Sequence, residues 1–224
     1  HEIKMEPNGK GRQDGERLAV DPNNSDIVYF GSIHDGLWHT EDAGDHWSEL
    51  ESVPRGAPPY GVNTVVFDPN SGTMSANDAI TRTSVMYVTV DSLGVFRSSD
   101  AGQRWTNITA DTELAGASIR ETAIGPDQTF YVACNKTPSG PGGLWKRTPR
   151  GHWVDISPKP EHAVSTSFWS IAIDPNNPQL LVALCQGGKG FVSHDQGGSW
   201  SPRGFTMSSD DIRWIGQQES YWMS

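Results

Sequence analysis

One eight-residue pattern recurs along the chain and constrains its fold more than any other feature. It reads Ser/Thr-x-Asp-x-Gly-x-x-Trp, and we call it the Asp-box. It occurs as TEDAGDHW at residues 40–47, SSDAGQRW at 98–105 and SHDQGGSW at 193–200, with a degenerate copy, KRTPRGHW, at 146–153. Recurrence at intervals of roughly 50 residues indicates stacked supersecondary units.

Each Asp-box closes a longer repeat of extended runs. The repeat opens with an apolar run ending in a turn, as in VNTVVFDPN at residues 62–70. Asp-Pro-Asn favours a turn because proline presets φ and the flanking Asp and Asn bond their own backbone. Two further runs rich in β-branched and aromatic residues follow, and a short fourth run comes after the Asp-box, which predicts four strands. Four antiparallel strands per unit are typical of a β-propeller blade.

The sequence therefore predicts an all-β β-propeller with four-stranded antiparallel blades and Asp-box turns, and no helix. A polar insertion of low complexity interrupts the second repeat at residues 71–83. We expect a single partial propeller domain over residues 1–224, with residues 204–224 leading into a further blade. The blades are predicted at about 15–50, 61–108, 118–156 and 168–203.

Composition argues against several classes of partner. The formal net charge is -10 and the 17 basic residues are scattered, whereas phosphate binding needs a clustered basic face, so no nucleic-acid partner is expected. No apolar stretch approaches the ~18 residues of a membrane span, so no membrane partner is expected either. Sequons at Asn23, Asn107 and Asn135 are compatible with secretion. For Cys134 and Cys185, a disulfide and two buried thiols both remain open.

The Asp-box aspartates, Asp42, Asp100 and Asp195, are predicted to be structural. In such a turn the hydroxyl and the carboxylate satisfy backbone N–H groups, and the glycine supplies φ > 0. A hairpin device repeated in every blade does not converge on one substrate. Histidines near the first Asp-box have spacings that match no known ligand pattern, so neither a metal nor a cofactor is expected. These histidines are His34, His39 and His46.

The candidate site is predicted at the end of the blades opposite the Asp-boxes. The Asp-Pro-Asn turns and the Asp-boxes share one end, and the long, dissimilar connections fall at the other, where function concentrates on a rigid scaffold. Three tryptophans that the repeat does not require belong to these connections, and they either plug the channel or form a platform for a sugar. The predicted substrate-binding residues are Tyr60, Trp169, Trp214, Tyr221, Trp222, His34, Asp35 and Arg120.

These motifs, taken in order, resemble one known family. The stretch GRQDGERLAVDPN at residues 11–23, continuing through YFGSIHDGLW at 29–38 into the first Asp-box, closely resembles the amino-terminal propeller of glycoside hydrolase family 74. The closing segment, residues 211–223, resembles the same domain further on. The resemblance covers nearly the whole chain.

The resemblance implies part of a secreted, extracellular enzyme in which two seven-bladed propellers face each other across a cleft. Such enzymes cleave the β-1,4-glucan backbone of xyloglucan, a plant cell-wall polysaccharide, within the chain or from its reducing end. They invert, using one aspartate from each propeller. The first aspartate lies in a Thr-Asp-x-Gly-Gly-type loop that this sequence lacks and the second in the carboxy-terminal propeller, so no catalytic residue is assigned here.

The chain is then expected to form about four blades of a seven-bladed propeller and one wall of the substrate cleft. The remainder of the same enzyme, including its second propeller, is the expected protein partner. The alternative is a non-catalytic Asp-box propeller that binds a glycan or a protein.

Overall fold

The computed structural model describes residues 17–57, 60–75, 80–159, 167–186 and 189–206. These residues form four four-stranded antiparallel sheets and one two-stranded ribbon, and the described part of the chain contains no helix. The chain divides into two compact units, residues 1–116 and 117–224. The prediction of an all-β fold built from four-stranded antiparallel sheets is confirmed.

The first unit contains two sheets and the ribbon. One sheet has strands β1 (Leu18–Asp21), β2 (Asn24–Gly31), β3 (Leu37–Thr40) and β4 (Ser48–Glu49). The other has strands β5 (Val62–Phe67), β8 (Met86–Val90), β9 (Gly94–Ser98) and β10 (Thr106–Asn107). The ribbon pairs β6 (Thr73–Ser75) with β7 (Thr81–Thr83).

The second unit contains two sheets whose strands pair in chain order. One has β11 (Ser118–Ile124), β12 (Phe130–Thr137), β13 (Gly140–Arg147) and β14 (Trp153–Asp155). The other has β15 (Phe168–Ile173), β16 (Leu181–Cys185), β17 (Lys189–Ser193) and β18 (Ser201–Thr206). Each of the four sheets therefore holds one copy of the repeat.

The second strand of each sheet contributes to the core. Every residue of β8 and of β16 is buried, so these strands read as continuous apolar runs without polar alternation. In the second unit, Tyr131, Leu144, Phe168 and Phe191 belong to one buried cluster. Each fully buried large apolar side chain contributes roughly 1.5–3 kcal/mol relative to an exposed one. Burial of both faces of β8 and of β16 thus stabilises the unit to which each strand belongs.

The Asp-box lies at the same end of its sheet as the turn between the first two strands. Within the Asp-box, the residue after the aspartate donates its backbone N–H to a carbonyl just before or within the second strand. These bonds are Ala43 N to Asp26 O (2.9 Å), Ala101 N to Ser84 O (3.0 Å) and Gln196 N to Gln179 O (3.0 Å). The opposite ends of the sheets are therefore left for the remaining connections, as the topology argument predicts.

The insertion at residues 71–83 has more structure than its polar sequence indicates. Its described part forms the β6–β7 ribbon, which bonds to the first sheet through side chains. Thr83 donates its backbone N–H to Asp21 Oδ2 (2.8 Å) and its hydroxyl to Asp21 Oδ1, and Arg82 pairs with Glu41. Sequence reasoning missed these strands because their sequence is polar and the bonds that hold the ribbon reach Asp21 and Glu41 in another repeat.

Candidate functional site

A β-bulge occurs at one repeat position in three of the four first strands. In each case one extra residue interrupts the antiparallel register, five positions before the residue that opens the first turn. The bulges place Asn63 between the Val62–Val90 and Thr64–Thr89 pairs, Arg120 between Ile119–Cys134 and Glu121–Ala133, and Trp169 between Phe168–Cys185 and Ser170–Leu184. Bulges redirect side chains and are common next to active sites. Two of the three, Arg120 and Trp169, are predicted site residues.

In the second unit, the structure brings Arg120 and Trp169 together. The guanidinium carbon of Arg120 lies 6.0 Å from the centroid of the Trp169 ring, within the range of a cation–π contact. Arg120 is only 4% exposed, whereas Trp169 is half-buried. The next residue after Arg120, the buried Glu121, accepts a hydrogen bond from the Thr122 N–H (3.3 Å). One end of the second unit thus combines an aromatic ring with a cation.

In the first unit, the backbone of Tyr60 lies close to the turn that carries His34 and Asp35. The Ser32 hydroxyl oxygen accepts hydrogen bonds from the N–H groups of His34 (3.2 Å) and Asp35 (3.0 Å). The Ser32 carbonyl in turn accepts from Val62 N, two residues after Tyr60 (3.0 Å). Tyr60 is half-buried, Asp35 is half-buried and His34 is exposed.

Gly61 makes this close approach possible. Its φ is +55°, and a Cβ at this position would lie 2.3 Å from the Ile33 carbonyl oxygen. No side chain fits at that distance, so residue 61 must be glycine for the two segments to touch. The contact fixes the backbone on which Tyr60 is mounted.

Arg17, which sequence reasoning did not select, holds the same segment from the other side. Its Nη2 donates to the Tyr60 carbonyl oxygen (2.8 Å) and its Nη1 to the Val62 carbonyl oxygen (2.5 Å). A planar guanidinium suits two acceptors presented side by side. The only signal in the sequence is that Arg17 shares its repeat position with the polar residues Thr64, Glu121 and Ser170.

Asn63 is the second residue that sequence reasoning missed. It is fully buried, and its Oδ1 accepts a hydrogen bond from the Thr89 hydroxyl (2.9 Å). The Thr89 and Thr64 hydroxyl oxygens are 2.7 Å apart. The sequence did contain a signal for this site, since an asparagine stands within the apolar run VNTVVF. A buried amide needs hydrogen-bond partners, so its presence there indicates a polar network inside the sheet.

Three of the predicted substrate-binding residues, Trp214, Tyr221 and Trp222, lie outside the described residues. The other five fall into two groups, one in each unit. Tyr60, His34 and Asp35 belong to the first unit, and Arg120 and Trp169 to the second. Their role in binding a substrate stays a prediction.

At the other end, the Asp-box carboxylates bond as the turn chemistry predicts. Each Oδ1 accepts the Ser or Thr hydroxyl two residues earlier and the backbone N–H four residues later. The two distances are 2.7 and 2.8 Å at Asp42, 2.9 and 2.9 Å at Asp100, and 2.8 and 2.8 Å at Asp195. The residue before the glycine also has positive φ, at 58° in Ala43, 56° in Ala101 and 56° in Gln196, which the sequence did not predict.

The degenerate copy keeps the same bond with a different acceptor. Thr148 stands at the aspartate position, and its hydroxyl oxygen accepts from the His152 N–H (3.2 Å). Gly151, at φ +92°, lies one residue later than the Asp-box glycine. The turn therefore forms without a carboxylate.

These bonds shift the acidity of the carboxylates. Hydrogen bonds from the Ser199 side chain and backbone and from Ser193 lower the pKa of Asp195 to about 2. The His46 backbone N–H, the Thr40 hydroxyl and the His46 ring hold the pKa of Asp42 well below its usual range. His46 Nδ1 lies 2.6 Å from Asp42 Oδ2, and this bond raises the pKa of His46.

Outside the Asp-boxes, the remaining candidates for chemistry are His39, possible metal ligands and the two cysteines. His39 stacks on Tyr29 at a centroid distance of 5.7 Å, and burial lowers the pKa of His39. Among the described residues, no three His, Cys, Asp or Glu side chains are grouped as metal ligands would be.

Cys134 and Cys185, for which the sequence left a disulfide and two buried thiols as possibilities, are both buried thiols. A search of the same residues for a long apolar helix able to cross a membrane finds none.

The chain is similar to known proteins over most of its length. No protein-family model matches it. It is 30% identical over 224 residues to xyloglucanase Xgh74A of Acetivibrio thermocellus, an alignment that covers 88% of this chain and 26% of that protein. The chain therefore spans about a quarter of the length of this relative.

Solved structures extend the similarity to the fold. The GH74 xyloglucanase from Xanthomonas campestris superposes with a TM-score of 0.67 at 30% identity, covering 84% of this chain and 30% of that one. The GH74 enzyme of Niastella koreensis gives a TM-score of 0.70 at 26% identity, covering 84% and 29%. These similarities confirm the predicted β-propeller fold class.

Proposed function

The chain is a partial β-propeller of the glycoside hydrolase family 74 type, and from this premise we propose that it is part of a secreted hydrolase that cleaves the β-1,4-glucan backbone of xyloglucan. The observation that carries the proposal is its 30% identity to a xyloglucanase over 88% of this chain. Most of this chain thus aligns with part of an enzyme named for that substrate.

Within such an enzyme, this stretch would form part of the wall of the substrate cleft. The β-bulge in β15 supports this role, because it carries the half-buried Trp169, with the Arg120 guanidinium over its ring. Sugar rings expose C–H faces, and an aromatic side chain contributes about 0.5–1.5 kcal/mol through ring geometry beyond simple burial. Trp169 would therefore bind the glucan backbone, and Arg120 would fix the orientation of the indole.

The chemistry itself would be inverting hydrolysis. An acid protonates the glycosidic oxygen while a base activates a water on the opposite face of the sugar, and the two carboxyls stand ~6.5–9.5 Å apart to admit that water. The Asp-box carboxylates are unsuited to this role, since each is bound to the backbone of its own turn. The contribution of this chain is to bind and orient the polysaccharide.

The test is hydrolysis of xyloglucan by the enzyme that contains this chain. We expect new reducing ends to appear, and proton NMR during the first turnovers to show the α-anomer, because attack by water inverts a β-linkage. Initial release of the β-anomer would contradict the inverting mechanism. Absence of any product from xyloglucan would contradict the proposed function.

A further inference from the structure

The third sheet extends further than the fourth at the end where Arg120 and Trp169 lie. In the fourth sheet, pairing of the first two strands stops at Phe168–Cys185, next to the bulge. In the third sheet, pairing continues past the equivalent Ile119–Cys134 pair to Ser118–Lys136, and β12 continues to Thr137. At about 3.3 Å per residue, the three residues after Cys134 project roughly 10 Å beyond the bulge.

The projecting part is a closed hairpin, which we call the 135–142 ribbon. Lys136 pairs with Pro141 and Thr137 with Gly140, so only two residues form its turn. The Thr137 hydroxyl lies 3.3 Å from the Gly140 carbonyl oxygen and 3.2 Å from that of Pro141, which ties the two strands together at the tip. The ribbon is therefore a built element with a defined register.

The base of the ribbon is joined to the segment that carries Trp169. The Ser167 hydroxyl donates to the Asn135 carbonyl oxygen (3.0 Å). Ser167 lies two residues before Trp169, a separation of about 7 Å along an extended chain. A Cβ on Gly142 would lie 1.9 Å from the Cys134 carbonyl oxygen, so the close approach of the two strands depends on glycine. The base of the ribbon is thus tied to the chain two residues before Trp169.

The tip of the ribbon has the chemistry of a sugar-binding surface. Lys136 and Ser139 are exposed, and their ammonium and hydroxyl groups can donate to sugar hydroxyls, while Pro138 and Pro141 add rigid apolar surface. A glucan backbone stacked on Trp169 would carry its side branches away from the indole, and the ribbon projects at this same end of the second unit.

We propose that the 135–142 ribbon is a specificity element that contacts the branches of a substituted glucan whose backbone lies on Trp169. The inference rests on the proposed function and extends it from the backbone to the branches. It requires the ribbon to contribute to the discrimination between branched and unbranched glucans, and to add little to the cleavage of an unbranched chain.

The test compares two substrates in the enzyme that contains this chain. Deletion of Lys136, Thr137, Gly140 and Pro141 shortens the ribbon by two residues per strand. Because side chains alternate between the two faces with a period of two, the remaining side chains keep their faces, and Pro138–Ser139 stays as the turn. We expect kcat/KM for xyloglucan to fall about threefold to tenfold, as for the loss of one or two hydrogen bonds, with unbranched cello-oligosaccharides little affected. Arg150→Ala, an exposed cation at the other end of the same sheet, is the control and should change neither value.

A second variant covers the possibility that the shortened ribbon impairs folding. Lys136→Ala combined with Ser139→Ala leaves the backbone intact. Like the deletion, it should lower the ratio of kcat/KM for xyloglucan to kcat/KM for cello-oligosaccharides. An unchanged ratio in a folded variant, with xyloglucan still cleaved, would overturn the role of the ribbon alone. If the unmodified enzyme does not cleave xyloglucan, the proposed function and this inference fall together.

Discussion

Within each Asp-box, one carboxylate oxygen accepts both a side-chain hydroxyl and a backbone N–H of its own turn. This role was predictable from the sequence, since both partners lie within four residues of the aspartate. The first prediction is that Asp100→Ala destabilises the fold by about 1–3 kcal/mol, because it leaves the Arg104 N–H and the Ser98 hydroxyl without their acceptor. Urea unfolding monitored by tryptophan fluorescence measures the change.

The exposed Asp111 is the matched control, and Asp111→Ala should leave the free energy of unfolding unchanged. Oligosaccharide affinity should be the same in both variants. If Asp100→Ala abolishes binding while its unfolding curve is unchanged, the aspartate belongs to a site and its structural assignment is wrong.

The lowered pKa of Asp195 makes stability depend on acidity. Its pKa is about 2 in the folded chain, against an ordinary value of 3.8. A carboxyl with a depressed folded pKa stabilises the fold above its unfolded pKa, and this stabilisation is lost as the pH falls through the folded value. We expect the free energy of unfolding to decline between about pH 4 and pH 2, and Asp195→Asn to reduce that decline. Identical pH profiles for the two proteins would contradict this.

Arg17 and Asn63 show where residue-level inference from sequence stops. Arg17 binds carbonyls more than 40 residues away, and Asn63 bonds to Thr89 on the neighbouring strand. Their partners are set by strand pairing, which a linear pattern does not specify. The Asp-box carboxylate differs because the hydroxyl and the backbone N–H that bind its Oδ1 lie within four residues of it.

At the scale of elements, the four-stranded units were predictable because each carries its own turn signals. The bulges were not, since a register shift is a property of two strands together. The β6–β7 ribbon was missed for a related reason: its polar sequence is compensated by bonds to another sheet. There, Asp21 is 2% exposed and accepts both the N–H and the hydroxyl of Thr83.

This contact gives a prediction for the ribbon. Thr83→Val removes the hydroxyl but not the N–H, so a buried carboxylate oxygen loses a donor at a cost of about 1–3 kcal/mol. Thr81→Val, on an exposed position of the same strand, is the control and should have no effect on the melting temperature. Equal melting temperatures for the Thr83 variant and the unmodified protein would show that the ribbon does not stabilise the first sheet.

At the scale of the whole molecule, the chain covers about a quarter of the xyloglucanase that it matches. The family resemblance assigns one catalytic aspartate to a loop that this sequence lacks and the other to a second propeller. We therefore expect the 224-residue chain, expressed alone, to release no reducing ends from xyloglucan, because acid and base are lost together. Release above a blank by the folded chain would show that it contains a catalytic pair.

We propose that the end of the sheets carrying Trp169 binds the polysaccharide. The most direct measurement is calorimetry of xyloglucan oligosaccharides with the enzyme that contains this chain, unmodified and as Trp169→Ala and Trp169→Phe. We expect severalfold weaker binding by the alanine variant at an unchanged melting temperature, with partial recovery by phenylalanine, which retains a ring. A lowered melting temperature with unchanged affinity would show that Trp169 is a packing residue and that this end of the sheets does not bind the polysaccharide through it.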